Sequence, residues 1–230
     1  MVTTFSGDSN YNKGYIAFFD IDRTITKAIS GRALARGAFT KGLITRLDIV
    51  QAGYLSLAYR LNLRDPLKII DRMVTWLDGI PEKTIDDLCS EVFREVLYPS
   101  VYDEARFEIK THKEKNAKVV ILSSALTPIC RYMAENLGMD DIICSTLEVE
   151  NGYFTGHPIG HLCFGKEKAI RLKNYCEINN TKMSDAWYYG DSISDLPALS
   201  LVGNPVCINP DRKLKKAAQK RGWKILDWNS

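Results

Sequence analysis

The sequence predicts an α/β fold: a doubly wound parallel sheet interrupted early by an all-helical insertion. Three observations carry this expectation. Short uncharged runs at 15–19, 118–122 and 186–190 read as strands buried on both faces, as in a parallel sheet. Helical periodicity recurs between the later runs, and parallel neighbours need such crossovers. After the first run, the pattern stays helical across residues 33–104. The predicted organisation is a core from 14–32 and 105–230 with a helical cap at 33–104.

The first strand sets the chemistry. Its apolar run ends in Asp20-Ile21-Asp22-Arg23-Thr24, at the carboxyl edge where open α/β sheets collect their working groups. Two carboxylates this close repel, so burying both requires a cation or a shared proton. The stretch therefore predicts a metal, an acid/base pair, or both. In the helical insertion, residues 32–39, 43–61, 66–77 and 81–97 carry helically spaced apolar residues, with Leu47, Val50, Tyr54, Leu57 and Leu61 along one face. Pro66 and Pro81 are placed as helix starters, and Asp78-Gly79 as a stop and turn. Packing inside the cap is the expectation for the uncharged run 49–59, with lipid contact as the alternative.

The sheet pattern resumes at 118–122 and ends in Ser123-Ser124, where a hydroxyl and free backbone N–H groups make a small anion nest. Thr127 is predicted as the N-cap of the next helix, Pro128 as its first residue and Gly138 as its stop. A short strand at 141–145 follows. Runs 147–150 and 153–156, joined by Asn151-Gly152, read as a hairpin with a tight primed turn. A helix at 166–176 begins with Lys166 and Lys168, either of which could bring positive charge to an anion. The strand at 186–190 ends in Gly190-Asp191-Ser192-Ile193-Ser194-Asp195. There two carboxylates straddle a strand-to-helix turn, with Ser194 as cap and Pro197 in the first turn. Residues 206–209 and 224–227 are the last strands.

Bulk properties exclude several classes. A formal charge of +3 over 230 residues is too small to indicate nucleic acid. The basic residues from Arg212 to Arg221 interleave with Leu214, Ala217 and Ala218, as on the solvated face of an amphipathic helix. Six scattered cysteines lack a Cys-x-x-Cys pair and read as small buried hydrophobes. His157 and His161 flank Pro158 and Gly160, which argues against a helical zinc pair. Residues 1–13 are polar and expected to fray, without a signal peptide, and 49–59 falls short of the about 20 apolar residues of a membrane span. A reduced, cytoplasmic protein without stable membrane insertion is expected.

Together, Asp20-x-Asp22-x-Thr24, Ser123, the lysine opening 166–176 and Gly190-Asp191-x-x-x-Asp195 resemble the motifs of haloacid dehalogenase superfamily phosphatases, in order. The closest branch includes phosphoserine phosphatase, with a helical cap between the first two motifs on a Rossmann-like core. The resemblance favours Lys168, four residues before Leu172, over Lys166. It implies a Mg²⁺-dependent phosphomonoesterase acting on a small phosphorylated substrate. Asp20 would be the nucleophile and Asp22 the general acid/base. Thr24, Ser123, Ser124 and Lys168 would bind the phosphate, and Asp20, Asp22 (through its carbonyl), Asp191 and Asp195 would form the metal site or orient its surroundings. Arg23, the Ser124-Ala125 pair and Ile29 depart from the phosphoserine pattern and point away from phosphoserine. A phosphotransferase or phosphomutase, a lipid-phosphate phosphatase, and a non-catalytic binding protein are the alternatives.

Overall fold

The computed structural model describes residues 14–48, 50, 54 and 74–229. Its centre is a six-stranded parallel sheet built from β1 (Ile16–Phe19), β2 (Lys118–Leu126), β3 (Asp141–Ser145), β6 (Trp187–Gly190), β7 (Asn204–Ile208) and β8 (Lys224–Leu226), in the order β3-β2-β1-β6-β7-β8. The chain builds outward from β1 to β3 and then returns to β6 on the other side of β1. The order thus reverses between β1 and β6, and such a switch point opens a crevice at the carboxyl ends of the strands.

Alternating residues of each strand enter two separate cores. Ala17, Phe19, Val119, Ile121, Tyr189, Val206 and Ile208 face one side; Ile16, Phe18, Val120, Leu122, Tyr188 and Cys207 face the other. The first face is covered by α3 (Asp103–Glu114) and α4 (Thr127–Leu137), while α1 (Ser30–Thr40) and α2 (Glu82–Val92) pack on one another and α2 on α4. The second is covered by α5 (Lys166–Ile178), α6 (Leu196–Leu199) and α7 (Arg212–Arg221). This double burial is why the strands carry uncharged runs instead of alternating polarity.

Several local expectations need correction. Strand β2 runs on to Leu126, with a register shift against β3 between Leu122 and Leu126, so Ser123 and Ser124 lie within an irregular strand rather than after it. Thr127 does not cap α4, because its hydroxyl donates to the Ser145 carbonyl at 3.1 Å across the β2–β3 boundary. Gly138 closes that helix in the left-handed conformation, as expected. In the hairpin β4 (Leu147–Glu150) and β5 (Tyr153–Pro158), Asn151 and Gly152 have φ of 51° and 83° and form the primed turn. The cap at the turn after β6 is Ser192, not Ser194, since Ser192 sits at the position from which its hydroxyl and N–H reach the Asp195 carboxylate.

Within 33–104, α1 packs on α2, and α2 packs on α4. Leu34, Ala38, Leu88 and Val92 bury into an apolar cluster that is continuous with Ile121 and Tyr189 of the sheet. Asp86 ties α2 to α4, accepting from Arg131 at 2.5 Å and from the Tyr132 hydroxyl at 3.0 Å. The segment 66–77 is described only from Val74, and Thr75–Leu77 there is a 3-10 turn. Leu47, Val50 and Tyr54 are exposed, contrary to the expectation that this face packs within the helical insertion; the described apolar contacts of α2 go to α1 and α4 instead. Leu57, Leu61, Pro66 and the polar 1–13 segment lie outside the described residues. All six cysteines are buried and free, and α7 buries Leu214 and Ala218 while exposing its lysines.

Candidate active site

Asp20 and Asp191 leave the carboxyl ends of β1 and β6 side by side, at the switch point. The ladder continues into the site, with the Asp20 N–H donating to the Tyr189 carbonyl at 3.0 Å. Past Asp20 the chain folds back at once: the amides of Thr24, Ile25 and Thr26 all donate to the Ile21 carbonyl. Arg23 sits in this turn with φ of 60°, a left-handed conformation that is uncommon for a side chain of its size.

Lys168 is brought into the crevice from the first turn of α5 and is 2% exposed. Its Nζ lies 2.9 Å from Asp20 Oδ2 and 2.7 Å from Asp195 Oδ1, and 3.2 Å from the Tyr188 hydroxyl. Lys166 is exposed, so the geometry selects Lys168 of the two candidates. Asp195 is fully engaged. Its Oδ1 also accepts from the Tyr188 hydroxyl at 2.7 Å, and its Oδ2 accepts from the Ser192 N–H and hydroxyl at 3.2 and 3.1 Å. Gly190 makes this possible, since a Cβ there would stand 2.9 Å from Asp195 Cβ and 3.0 Å from its Cγ.

Asp22 is held differently. Its two oxygens accept from the backbone N–H and hydroxyl of Ser30, at 2.8 and 2.9 Å, at the start of α1. Its charge there faces the positive end of the helix. Ser123 is buried; its hydroxyl accepts the Ala125 N–H at 3.3 Å and bonds to Asp20. Ser124 is exposed, and its carbonyl is held by the Ser145 hydroxyl at 3.1 Å. Thr24 is fully buried, and its hydroxyl is the one buried side-chain polar atom without a partner among the described residues. Such an orphan calls for an explanation, and an absent ligand atom is a natural one.

The electrostatics are those of a site short of positive charge. Burial pushes the Asp191 carboxyl up to about 8, helped by Asp195 and Asp20 and opposed by Arg23, whose Nε lies 3.6 Å away. Asp22 rises to about 6, through burial and then the Asp20 charge. Asp20 is also raised, because burial outweighs Lys168. Burial works against the Asp195 charge too, yet Lys168, Tyr188 and Ser192 together hold it below the usual range. Lys168 is held well above its ordinary value: burial opposes its charge, but Asp195 and Asp20 prevail.

Ligand atoms of Asp20, Asp191 and Asp195 all lie within 4.8 Å of one another, the only such acidic, His or Cys group among the described residues. An all-oxygen donor set with surplus negative charge fits a hard divalent cation such as Mg²⁺. Within that group, Asp195 accepts from Lys168, Tyr188 and Ser192, and Asp20 is engaged at both oxygens by the Ile21 N–H at 2.8 Å and Lys168 at 2.9 Å. Asp191 faces Arg23 at the longer distance of 3.6 Å and is the freer ligand. The Asp22 carboxylate stands outside the group, tied to Ser30.

A profile of the haloacid dehalogenase-like hydrolases matches residues 17–200, from the first strand through the Asp195 turn. The chain belongs to this family. Among relatives of this hydrolase is a probable phosphatase of Mycobacterium tuberculosis, 31% identical over 217 residues, covering 93% of this chain and 75% of that protein. Another is a histidinol-phosphatase of Neisseria meningitidis, 27% identical over 225 residues, covering 93% and 98%. A solved phospho-aspartyl intermediate analogue of phosphoserine phosphatase superposes with a TM-score of 0.70 at 17% identity, over 95% of this hydrolase and 94% of that chain. That likeness establishes the shared haloacid dehalogenase fold.

The sequence reading missed Tyr188, Ser30 and Ser192, which position Asp195 and Asp22. Tyr188 carried one signal: a hydroxyl in the middle of an otherwise apolar buried strand, which must find a partner.

Proposed function

We propose that this haloacid dehalogenase-like hydrolase is a Mg²⁺-dependent phosphomonoesterase that works through an aspartyl-phosphate on Asp20. The observation that carries the reading is a buried lysine shared between Asp20 and Asp195, beside a buried Asp191 whose ion-pair partner is the half-exposed Arg23 at 3.6 Å. Asp20 and Asp191, with the Asp22 carbonyl, would hold Mg²⁺. When bound, the ion supplies the positive charge that lets an anionic carboxylate meet an anionic phosphate.

The chain's own groups account for the remaining chemistry. Asp20 attacks phosphorus, splitting one hard displacement into two easier ones. Asp22, raised to about 6, gives a proton to the leaving oxygen and then takes one from the hydrolytic water. Lys168, Ser123, the Ser124 N–H and the unpartnered Thr24 hydroxyl receive the phosphate oxygens. Asp195 does not touch substrate; it holds Lys168 in place. Residues 33–104 act as the cap that selects the leaving group, over a core of 14–32 and 105–230.

The substrate is a small phosphorylated alcohol in the cytoplasm. The names of the relatives disagree on which one, and Ile29 and Ser124-Ala125 argue against phosphoserine. A lipid phosphate is the second reading, favoured by the exposure of Leu47, just before the uncharged run 49–59, and of Val50 and Tyr54 within it. Among the described residues no helix is long and apolar enough to cross a membrane.

The test is phosphate release from an aryl phosphate with and without Mg²⁺, for wild type and Asp20→Asn. Activity abolished by EDTA and by the substitution is expected. Release that survives Asp20→Asn would overturn the mechanism. Transfer to added alcohols exceeding release to water would make the protein a phosphotransferase. A panel of soluble and lipid phosphomonoesters then separates the two substrate readings.

A further inference from the structure

The turn that carries Asp191 and Asp195 is braced from outside by a residue the chemistry does not use. Asp211 stands between β7 and α7, and its N–H donates to the Asp191 carbonyl at 2.8 Å. One carboxylate oxygen, Oδ2, accepts the Ile193 N–H at 2.9 Å. The other, Oδ1, accepts the N–H groups of Lys213 and Leu214, both at 2.8 Å, and so caps α7. The brace is itself anchored on both sides. Leu214 and Ala218 are fully buried and seat α7 on the sheet. Before Asp211, Asn209 takes a left-handed φ of 40° and locks onto Trp228, accepting its N–H at 2.9 Å and donating to its carbonyl at 3.0 Å. The Asn209 N–H also donates to the Leu226 carbonyl at 2.9 Å.

We propose that Asp211 is a positioning residue for the metal site. By holding the Asp191 carbonyl and the Ile193 N–H, it aims the Asp191 carboxylate at the space shared with Asp20. The identity of the ion rests on the phosphatase reading. A helix cap by itself would engage only Oδ1. Here the second oxygen and the backbone N–H both go to the turn, so Asp211 has two roles that substitution can separate. Partners that orient a metal ligand in this way are worth about 10–100-fold in metal affinity.

Asp211→Asn performs the separation. Asparagine caps a helix as well as aspartate does, and its single carbonyl oxygen is drawn to the two N–H groups at the positive end of α7. Its NH₂ group then faces the Ile193 N–H, donor against donor, and the tie to the turn is lost. Asp211→Ser is the second variant, because serine is also a good N-cap and its one oxygen serves the helix alone.

Mg²⁺ is titrated into the full chain by calorimetry, and amide exchange is followed by NMR in the metal-free protein. Both variants should unfold at the wild-type temperature and keep the wild-type exchange of the Lys213 and Leu214 amides. Their Mg²⁺ dissociation constants should rise about tenfold or more. The Ile193 amide should exchange about tenfold faster, as expected for the loss of a bond to a charged acceptor. Unchanged Mg²⁺ affinity, or affinity lost only in step with a lower unfolding temperature, would overturn the proposal. A wild type that takes up no Mg²⁺ would overturn the metal reading itself, which unchanged affinity in the variants does not. The brace is then decided by Ile193 exchange alone, and wild-type exchange in both variants would overturn it.

Discussion

The Lys168 ammonium stands 2.7 Å from Asp195 and 2.9 Å from Asp20, all three buried, so one charge is shared between two carboxylates. Removing either partner should have different consequences. Lys168→Met strands two buried carboxylates, and breaking a buried pair in this way costs about 3–5 kcal/mol. Its destabilisation, followed by urea unfolding, should be larger at pH 8 than at pH 5, where the stranded carboxyls can take up protons. Asp195→Asn leaves Lys168 paired with Asp20. It should lose about a hundredfold in kcat with a smaller loss of stability.

Ser30 sets the proton affinity of Asp22 without touching the reacting atoms. Its hydroxyl and N–H stabilise the charged carboxylate and offset part of the rise that burial causes, which leaves Asp22 at about 6. Ser30→Ala removes one of these two bonds, so Asp22 keeps its proton to higher pH. The alkaline limb of the kcat/KM profile should move upward, by roughly one unit or less. A profile displaced toward acid, or unmoved with only a lower plateau, would show that Asp22 is not the acid that titrates.

Gly190 has no room for a side chain. An alanine methyl would press on Asp195 at about 3 Å, and that carboxylate is held by several donors and cannot retreat. Gly190→Ala should cost about 1–3 kcal/mol by overpacking and lower turnover through displacement of Asp195 and Lys168. Thermal unfolding and aryl phosphate turnover, measured on one preparation, check both parts.

His112 makes folding sensitive to acid on the other face of the sheet. Tyr189 donates its hydroxyl proton to Glu108 at 3.0 Å and so accepts from His112 Nε2 at 2.8 Å, leaving Nδ1 to accept from Tyr15. The imidazole is therefore neutral, and burial, with Lys115 and Lys224, lowers it to about 4. With a folded pKa below the unfolded value, the contribution is complete above about 6.5 and is lost as pH falls toward 4. It amounts to about 3 kcal/mol across that window. His112→Gln should flatten the wild-type dependence between pH 6.5 and 4.5 in denaturant titrations. Equal slopes for the two proteins would contradict this account.

The sequence by itself determined the sheet and the stations on it. Strands buried on both faces must be uncharged, so β1, β2 and β6 were legible as apolar runs, and Asp20 and Asp191, ending β1 and β6, marked the carboxyl edge, while Ser123 proved to lie within β2. Helix and turn signals located α5 and the Asn151-Gly152 hairpin for the same local reasons. Tertiary structure alone decided which groups meet. Lys166 and Lys168 are alike in sequence, and only the docking of α5 on the sheet buries one and exposes the other. Ser30 and Asp22 are eight residues apart, and Tyr188 and Lys168 twenty. Local periodicity reports which face of an element is apolar; partners across a crevice are chosen by how whole elements pack.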